Sequence, residues 1–311
     1  MNFQKVYTAT DVHIAGEVFR IIDDVPFVQY GSLKEFDEQL PSVFLEEMAL
    51  LLNEPRGFAG INGCLVVPPF TESGDAAAVF FNHEGTLPIH YGGVIAVVTA
   101  LLESGRLKEK TAGEYFIETV QGVIPVIAVK EKEQVVSARM ALGECTVVKT
   151  DVPLLDASYT VVQADQRYAL FDNKALGLKI ELSELSTVKK WGKNTLQELK
   201  TNPDIQGVIL MDDEALVQGK IKTVTFRKDG WIVRSPGFGP TAACFASLLS
   251  RGGIEVDQTL LNESVYGSFL ESKAHHDRKV QFAVNARAFI TGLQTFVFDP
   301  TDPLPKGFLI K

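Results

Sequence analysis

Residues 92–105 read GGVIAVVTALLESG, and residues 239–252 read GPTAACFASLLSRG. An offset of 147 residues aligns the first glycines, one alanine, a pair of leucines and the last glycines of the two stretches. Each stretch predicts an apolar helix with glycine at its beginning and just after its end. We expect helices over residues 94–104 and 241–251. Two copies of one unit indicate a protein with two similar halves.

The glycines that open the two predicted helices also indicate a function. A helix N-terminus carries unpaired N–H groups and a positive partial charge, which together attract anions. If both helix starts face one cleft, they would form a site for an anion such as a carboxylate.

Composition narrows the class of protein. The chain has 311 residues, 46% hydrophobic and 22% charged, which predicts a soluble globular protein with two domains. Its formal net charge of −9 argues against binding to nucleic acid or to anionic membranes. The three cysteines are odd in number and scattered, so neither a disulfide framework nor a zinc motif is indicated. Without an apolar signal core or a membrane-length run, we expect a cytoplasmic protein.

The order of predicted elements is similar in both halves: strands, a helix, further strands and then the repeated helix. The first strands include FRIIDDVPFV at residues 19–28, and the first helix begins with Ser32 as its N-cap and is broken or kinked by Pro41. A domain boundary is expected near residues 145–155. We expect an N-terminal domain of residues 1–148 with 288–311, and a C-terminal domain of residues 149–287.

Six ordered blocks resemble the proline racemase family, which includes proline racemase, 4-hydroxyproline epimerase and trans-3-hydroxyproline dehydratase. They are DVHIAGEVFRII (11–22), EPRGFAGINGCLV (54–66), HEGTLPIHYGGVIAV (83–97), RSPGFGPTAA (234–243), NESVYGSF (262–269) and the tail from residue 286 to 308. The resemblance implies a mixed α/β fold of the diaminopimelate epimerase type. It has two pseudo-symmetric domains, each a curved, mostly antiparallel sheet or barrel around a central helix, with the active site between them. No cofactor is implied.

The resemblance also shows where this chain departs from the family. Two cysteines serve the family as acid and base, and gapless alignment places His90 and Gly237 at those positions. The offset of 147 pairs the same two residues. The family's supporting histidine and aspartate are replaced by Gly92 and Val233. Two-thiol racemisation is therefore not expected, since a racemase needs one group on each face of the substrate.

His90 is the candidate catalytic residue, because imidazole titrates near neutrality and can act as a single base. A polar loop residue without a catalytic role is the alternative. Around it we expect substrate contacts. Tyr91 would narrow the pocket or donate a hydrogen bond to a carboxylate, and the helix-start glycines would bind an anion or only pack closely. Pro240 weakens the second helix start because it has no N–H. The predicted substrate-binding residues are Tyr91, Gly92, Gly93, Gly237, Phe238, Gly239 and Thr241.

The other histidines are not predicted to be catalytic or to bind a metal. His13 is expected to be a structural hydrogen-bonding residue, and Glu84, beside His83, is also expected to be structural. The run His275-His276-Asp277 is interpreted as a solvated turn, since adjacent residues of an extended chain point in opposite directions. No metal site is predicted.

These observations leave three functions open. The first is a divergent member of the proline racemase family that binds a small proline-like carboxylate without two-thiol chemistry. The second is a cofactor-independent hydroxyproline dehydratase or isomerase with His90 as its single base. The third is a non-catalytic sensor or structural paralogue. The expected partner is a small carboxylate or imino acid; a homodimer is left open.

Overall fold

The chain divides into two units, each built around one of the repeated stretches. Unit 1 comprises Met1–Arg139 and Arg287–Lys311, and unit 2 comprises Met140–Ala286. The computed structural model describes residues 5–23, 29–276 and 279–310. The last five residues of the predicted strand at 19–28 lie outside the described residues, as does Asp277.

Strands make up most of both units. The strands are β1 (Lys5–Ile14), β2 (Glu17–Ile22), β3 (Ile61–Val67), β4 (Ala76–Asn82), β5 (Gly85–Leu87), β6 (Glu114–Thr119), β7 (Gly122–Glu131), β8 (Gln134–Gly143), β9 (Thr146–Leu154), β10 (Ala157–Gln163), β11 (Arg167–Asp172), β12 (Gly207–Asp212), β13 (Lys220–Arg227), β14 (Thr259–Ser264), β15 (Phe269–His276), β16 (Val280–Ala286) and β17 (Ala288–Phe298). The helices are α1 (Leu33–Val43), α2 (Leu45–Leu52), α3 (Tyr91–Glu103), α4 (Asn173–Leu176), α5 (Leu185–Glu198) and α6 (Phe238–Ser250). Short 3₁₀ turns cover Leu182–Glu184, Leu199–Thr201 and Leu216–Gln218.

The two units pair their strands in the same order. In unit 1 the order is β17, β1, β2, β3, β4, β6, β7, with parallel pairs only at β2–β3 and β4–β6 in this series. In unit 2 it is β9, β10, β11, β12, β13, β14, β15, with parallel pairs at β11–β12 and β13–β14. The repeat seen in the sequence therefore extends to the topology of the sheets.

The repeated stretches form α3 and α6, each starting three residues before the range expected from the sequence. Residues 92–102 of α3 and residues 238–248 of α6 are all buried. A helix that is apolar on every face is stable only when it is surrounded, and strands of the same unit contact each one. The start of each helix is consequently held in a fixed place by its unit.

The outer helices of unit 1 correct one expectation. Ser32 caps α1, its hydroxyl accepting the Glu35 N–H at 3.2 Å. Pro41 lies inside α1, which continues to Val43, and the break falls at Phe44. The helix survives the missing proline N–H because the next turn is closed by the Phe44 N–H, donated to the Leu40 carbonyl at 2.8 Å.

Two further segments define the limits of the units. Residues 146–154, expected near a domain boundary, form strand β9, which pairs with β10 inside unit 2. The tail after β17 is bound to unit 1, where Arg56 pairs with Asp302 at 2.8 Å and Glu54 exchanges backbone hydrogen bonds with Phe308. Among the described residues, no helix combines the length and apolar character needed to cross a lipid bilayer.

Candidate functional site

His90 is the N-cap of α3, so its position is set by the helix that follows it. Its backbone is extended, with φ −136° and ψ 107°, and its Nδ1 accepts the Gly93 N–H at 3.4 Å. This bond is long, at the limit of a hydrogen bond. The imidazole therefore lies at the positive end of the central helix of unit 1.

The other ring nitrogen of His90 faces a carboxylate. Its Nε2 lies 3.3 Å from Oε1 of Glu17, and the two side chains are 21% and 16% exposed. Phe19 packs edge-on against the ring, with 4.9 Å between centroids. Glu17 also accepts a bond of 3.5 Å from the amide of Asn62. The contacts with Gly93, Glu17 and Phe19 together orient the imidazole.

This geometry selects one tautomer of the neutral imidazole. Nδ1 accepts a hydrogen bond and so carries the lone pair, while Nε2 carries the hydrogen that is donated to Glu17. A carboxylate on one nitrogen fixes the ring and stabilises the imidazolium that forms when the other nitrogen takes a proton. The arrangement can act as a single base through Nδ1.

The glycines at the start of α3 serve packing as well. Gly92 and Gly93 are buried. A Cβ on Gly93 would lie 2.6 Å from the Phe80 ring, so only glycine allows this approach. Tyr91, the first residue of α3, is partly buried. The Gly93 N–H is donated to the His90 imidazole in this structure.

The start of α6 requires glycine for a different reason. Gly237 has φ +77° and ψ 137°, and its N–H is donated to the Ser235 hydroxyl at 3.1 Å. A Cβ there would lie 2.8 Å from Cγ of Pro240. The backbone and the neighbouring proline ring therefore both exclude an L side chain at this position.

Thr241, expected to contact substrate, belongs to a buried polar chain. Its hydroxyl donates to the Gly237 carbonyl at 2.6 Å and accepts from the Asn262 amide at 2.9 Å. The Asn262 oxygen in turn accepts from the Thr223 hydroxyl at 2.9 Å. Thr241 therefore fixes the backbone of Gly237, while the adjacent Phe238 is buried at 5% exposure.

A carboxylate that the sequence did not single out lies at the start of α6. Asp165, in the turn between β10 and β11, occupies the place that a Cβ on Gly239 would need. Tyr168 donates its hydroxyl hydrogen to Asp165 at 3.0 Å. The signal available in the sequence is the turn itself, Ala164-Asp165-Gln166, which joins β10 to β11 as Ala15-Gly16 joins β1 to β2.

The three cysteines are buried, and Cys64 lies near the start of α3, where its Sγ would be 3.4 Å from a Cβ on Gly93. Burial raises the pKa of the Cys145 thiol to about 12, with a smaller contribution from the charge of Asp165, and burial also raises the pKa of Cys64 and of Cys244. A thiol must ionise to act as a nucleophile or base. None of the three is prepared for that role.

The other polar candidates have structural surroundings. His13 accepts the Gly16 N–H at 3.4 Å and stacks on Phe289, and burial lowers its pKa. His275 and His276 end strand β15 and are exposed, so they lie in a strand end rather than a turn. Within the part of the chain that the structure describes, no three His, Cys, Asp or Glu residues form a metal-binding group.

The fold and the two helix starts define a mixed α/β protein made of two similar halves. A family model described as proline racemase matches residues 9–309, and the chain belongs to the proline racemase family. It is 29% identical over 335 residues to a trans-3-hydroxy-L-proline dehydratase of Bacillus cereus. It is 25% identical over 335 residues to a proline racemase of Acetoanaerobium sticklandii. Both alignments cover 100% of each chain.

A solved structure is similar over the same extent. It is the crystal structure of a hydroxyproline epimerase from Agrobacterium vitis with bound trans-4-hydroxy-L-proline, with a TM-score of 0.84 at 23% identity. The match covers 100% of this chain and 96% of that chain. The fold class predicted from the sequence is thereby confirmed.

Proposed function

We propose that this protein binds a small proline-like imino acid and moves the proton on its Cα with one base, His90, in place of two thiols. Membership of the proline racemase family supports the ligand class. So do the names of its relatives, a trans-3-hydroxy-L-proline dehydratase and a proline racemase. The start of α3 supplies a positive helix end for the carboxylate of the ligand.

The observation that carries the proposal is the contact of Glu17 with His90. The Glu17 carboxylate lies 3.3 Å from Nε2. To accept a proton, Nδ1 would have to lose its hydrogen bond from the Gly93 N–H, which is long at 3.4 Å. A histidine that served only as a helix cap would need the lone pair on Nδ1 but not the carboxylate beside Nε2. General acid–base catalysis by such a group contributes about 10²–10⁴ to the rate.

The surroundings of the thiols and of Gly237 support the loss of two-thiol chemistry. The cysteines are buried, and Cys244 lies inside α6 rather than at its start. Gly237 has no side chain and adopts a backbone conformation that a cysteine would strain. Unit 2 therefore has no thiol at position 237, where the resemblance places the second cysteine of the family.

The chemistry of one base follows directly. Nδ1 of His90 takes the proton from Cα, the bonding electrons remain on the substrate, and the imidazolium pairs with Glu17. Return of a proton from the same nitrogen gives exchange with retention of configuration. When the ring carries a hydroxyl on Cβ, the C–O bond breaks instead, a Cα=Cβ double bond forms and water leaves with the proton from His90.

The test is deuterium exchange at Cα in D₂O, followed by proton NMR with L-proline, trans-3-hydroxy-L-proline and trans-4-hydroxy-L-proline. The wild type should exchange or dehydrate at least one of them and should not form D-proline. His90→Asn is the matched variant, because asparagine caps a helix well but is no base. It should keep binding and stability and lose the reaction, whereas His90→Ala loses the cap too.

Glu17→Gln provides a second variant, which keeps a hydrogen-bond acceptor but removes the charge. It should lower the rate with little effect on affinity, because the charge acts on the imidazolium rather than on the bound ligand. Exchange that persists in His90→Asn would refute His90 as the base. Binding of an imino acid without any reaction in the wild type would assign the protein to the non-catalytic alternative.

A further inference from the structure

Glu17, Phe19 and Asn62 share one face of the sheet of unit 1. Glu17 and Phe19 are two residues apart on β2, so their side chains point to the same side. β3 runs parallel to β2 with Asn62 paired to Phe19, which places the Asn62 side chain on that side too. Phe19 packs against the His90 ring, and Glu17 contacts Nε2 of His90. The register of the two strands therefore brings Asn62 beside the His90–Glu17 pair.

Asn62 is an amide in an otherwise apolar strand. β3 reads INGCLVV, and all seven of its residues are buried. Asn62 itself is 5% exposed. An amide that is removed from water costs free energy unless it finds hydrogen-bond partners within the protein. The residue type at this position is therefore explained by its polar partners rather than by packing.

One of those partners is the oxygen of Glu17 that faces His90. Nδ2 of Asn62 donates to Oε1 of Glu17 at 3.5 Å, and Nε2 of His90 lies 3.3 Å from the same oxygen. Nδ2 also donates to the Val18 carbonyl at 3.5 Å. Both amide bonds are long, but the burial of Asn62 limits competition by water. The amide thus joins the backbone of β2 to the carboxylate.

This contact has two consequences for the His90–Glu17 pair. An N–H donor interacts favourably with a charged carboxylate. It also fixes Oε1 in the direction of His90, so that Nε2 keeps its hydrogen and the lone pair remains on Nδ1. Without the amide, the flexible side chain of Glu17 would be free to turn away, and the imidazole would lose a group that orients it.

We propose that Asn62 is a positioning residue: its amide holds Oε1 of Glu17 against Nε2 of His90 and so keeps the lone pair of the imidazole on Nδ1. The effect of Asn62 on a reaction rests on the proposed function above, whereas its effect on His90 can be measured without a ligand. All three residues belong to unit 1.

Proton NMR of the imidazole N–H groups tests the positioning directly. The hydrogen on Nε2 of His90 should give a downfield signal that exchanges slowly with water, because Glu17 holds it; His90→Asn identifies the signal by its absence. Asn62→Leu replaces the amide with an apolar group of similar size. Exchange with water should become faster by about tenfold or more, or the signal should be lost. Asn62→Ala removes the amide without adding bulk and should have the same effect.

A buried asparagine of unit 2 provides the matched control. Asn173, in α4, is 6% exposed, and its amide donates to the Leu178 carbonyl at 3.1 Å. Asn173→Leu makes the same change there and should leave the His90 signal as in the wild type. An Asn62→Leu protein that keeps the wild-type signal would overturn the proposal, and so would an equal loss of the signal in Asn173→Leu.

A double-mutant cycle separates positioning from general damage. For an imino acid that reacts in the D₂O assay, Asn62→Leu should lower the rate at saturation by about tenfold and leave KM nearly unchanged. In the Glu17→Gln background the same change should have little further effect, because Asn62 acts through the carboxylate of Glu17. Equal losses in the two backgrounds would show that Asn62 acts independently of Glu17, which contradicts the proposal.

The outcomes distinguish this proposal from the proposed function. If the wild type reacts with none of the imino acids, the proposed function fails, and the N–H signal of His90 alone decides the role of Asn62. If the wild type reacts and Asn62→Leu alters neither the signal nor the rate, the proposed function stands and the role of Asn62 is refuted.

Discussion

Replacement of Gly237 by alanine should destabilise the protein through two separable effects. The residue has φ +77° and ψ 137°, a conformation that costs a non-glycine residue about 1–3 kcal/mol. The added Cβ would also lie 2.8 Å from Cγ and 2.9 Å from Cδ of Pro240, and such overpacking costs about 1–3 kcal/mol. We expect a total loss of about 3 kcal/mol in the free energy of unfolding.

Gly252, just beyond the end of α6, provides the matched control. It has φ +69°, and a Cβ there would find nothing within 4 Å. Gly252→Ala therefore reports the backbone cost alone, about 1 kcal/mol. In Gly237→Ala/Pro240→Ala the proline ring is gone, so the overlap should disappear and the loss should fall towards that of the control.

Urea unfolding followed by circular dichroism measures these differences, and thermal unfolding supports them. A loss of 3 kcal/mol should lower the midpoint by roughly 6–12 °C for a unit of this size. The reasoning is refuted if Gly237→Ala is no more destabilising than Gly252→Ala. It is also refuted if removal of the Pro240 ring recovers none of the loss.

Two further predictions concern the thiols. Iodoacetamide at pH 7 should leave any exchange or dehydration activity unchanged, because all three cysteines are buried and the pKa of Cys145 is raised to about 12; inactivation that a proline analogue prevents would contradict this. His90→Cys/Gly237→Cys should not interconvert L- and D-proline in a polarimetric assay, because a cysteine at Gly237 is strained and overlaps Pro240; robust racemisation would show that the lost thiols alone account for the difference.

Much of the fold could be predicted from the sequence because its strongest signals are local. An all-apolar run that begins and ends with glycine can only be a buried helix, and α3 and α6 confirm this interpretation. The Ser32 cap is equally local, since the residue and its partner Glu35 are three positions apart. Those features need no knowledge of distant neighbours.

Other features depend on contacts that a sequence does not display. A boundary is predicted near residues 145–155, and residues 146–154 form β9, which pairs with β10 within unit 2. Thr241 is predicted to contact substrate, and the hydrogen bonds of its hydroxyl to Gly237 and Asn262 could not be predicted, since Asn262 lies 21 positions away in the chain. Position on a helix start indicates proximity to a site but not the direction of a side chain.

Asp165 is a second example of a contact that the sequence does not display. In the sequence it is an acidic residue in a short polar turn, the commonest setting for a solvated carboxylate. Its contact with Gly239, at the start of α6, could not be predicted because the two residues are some seventy positions apart in the chain. The correspondence with the turn before Glu17 follows from the pairing order of the strands, and the weak repeat between the hairpins alone does not reveal it.

The residue types at the start of α6 depend on one another. Because Gly237 has no side chain, the ring of Pro240 can occupy the space beside it, and that ring then excludes any side chain at Gly237. Because Pro240 has no N–H, the start of α6 has one donor fewer for an anion. The carboxylate of Asp165 lies against Gly239, at the positive end of the helix. A cysteine at position 237 would therefore require changes to the local backbone and to the ring of Pro240.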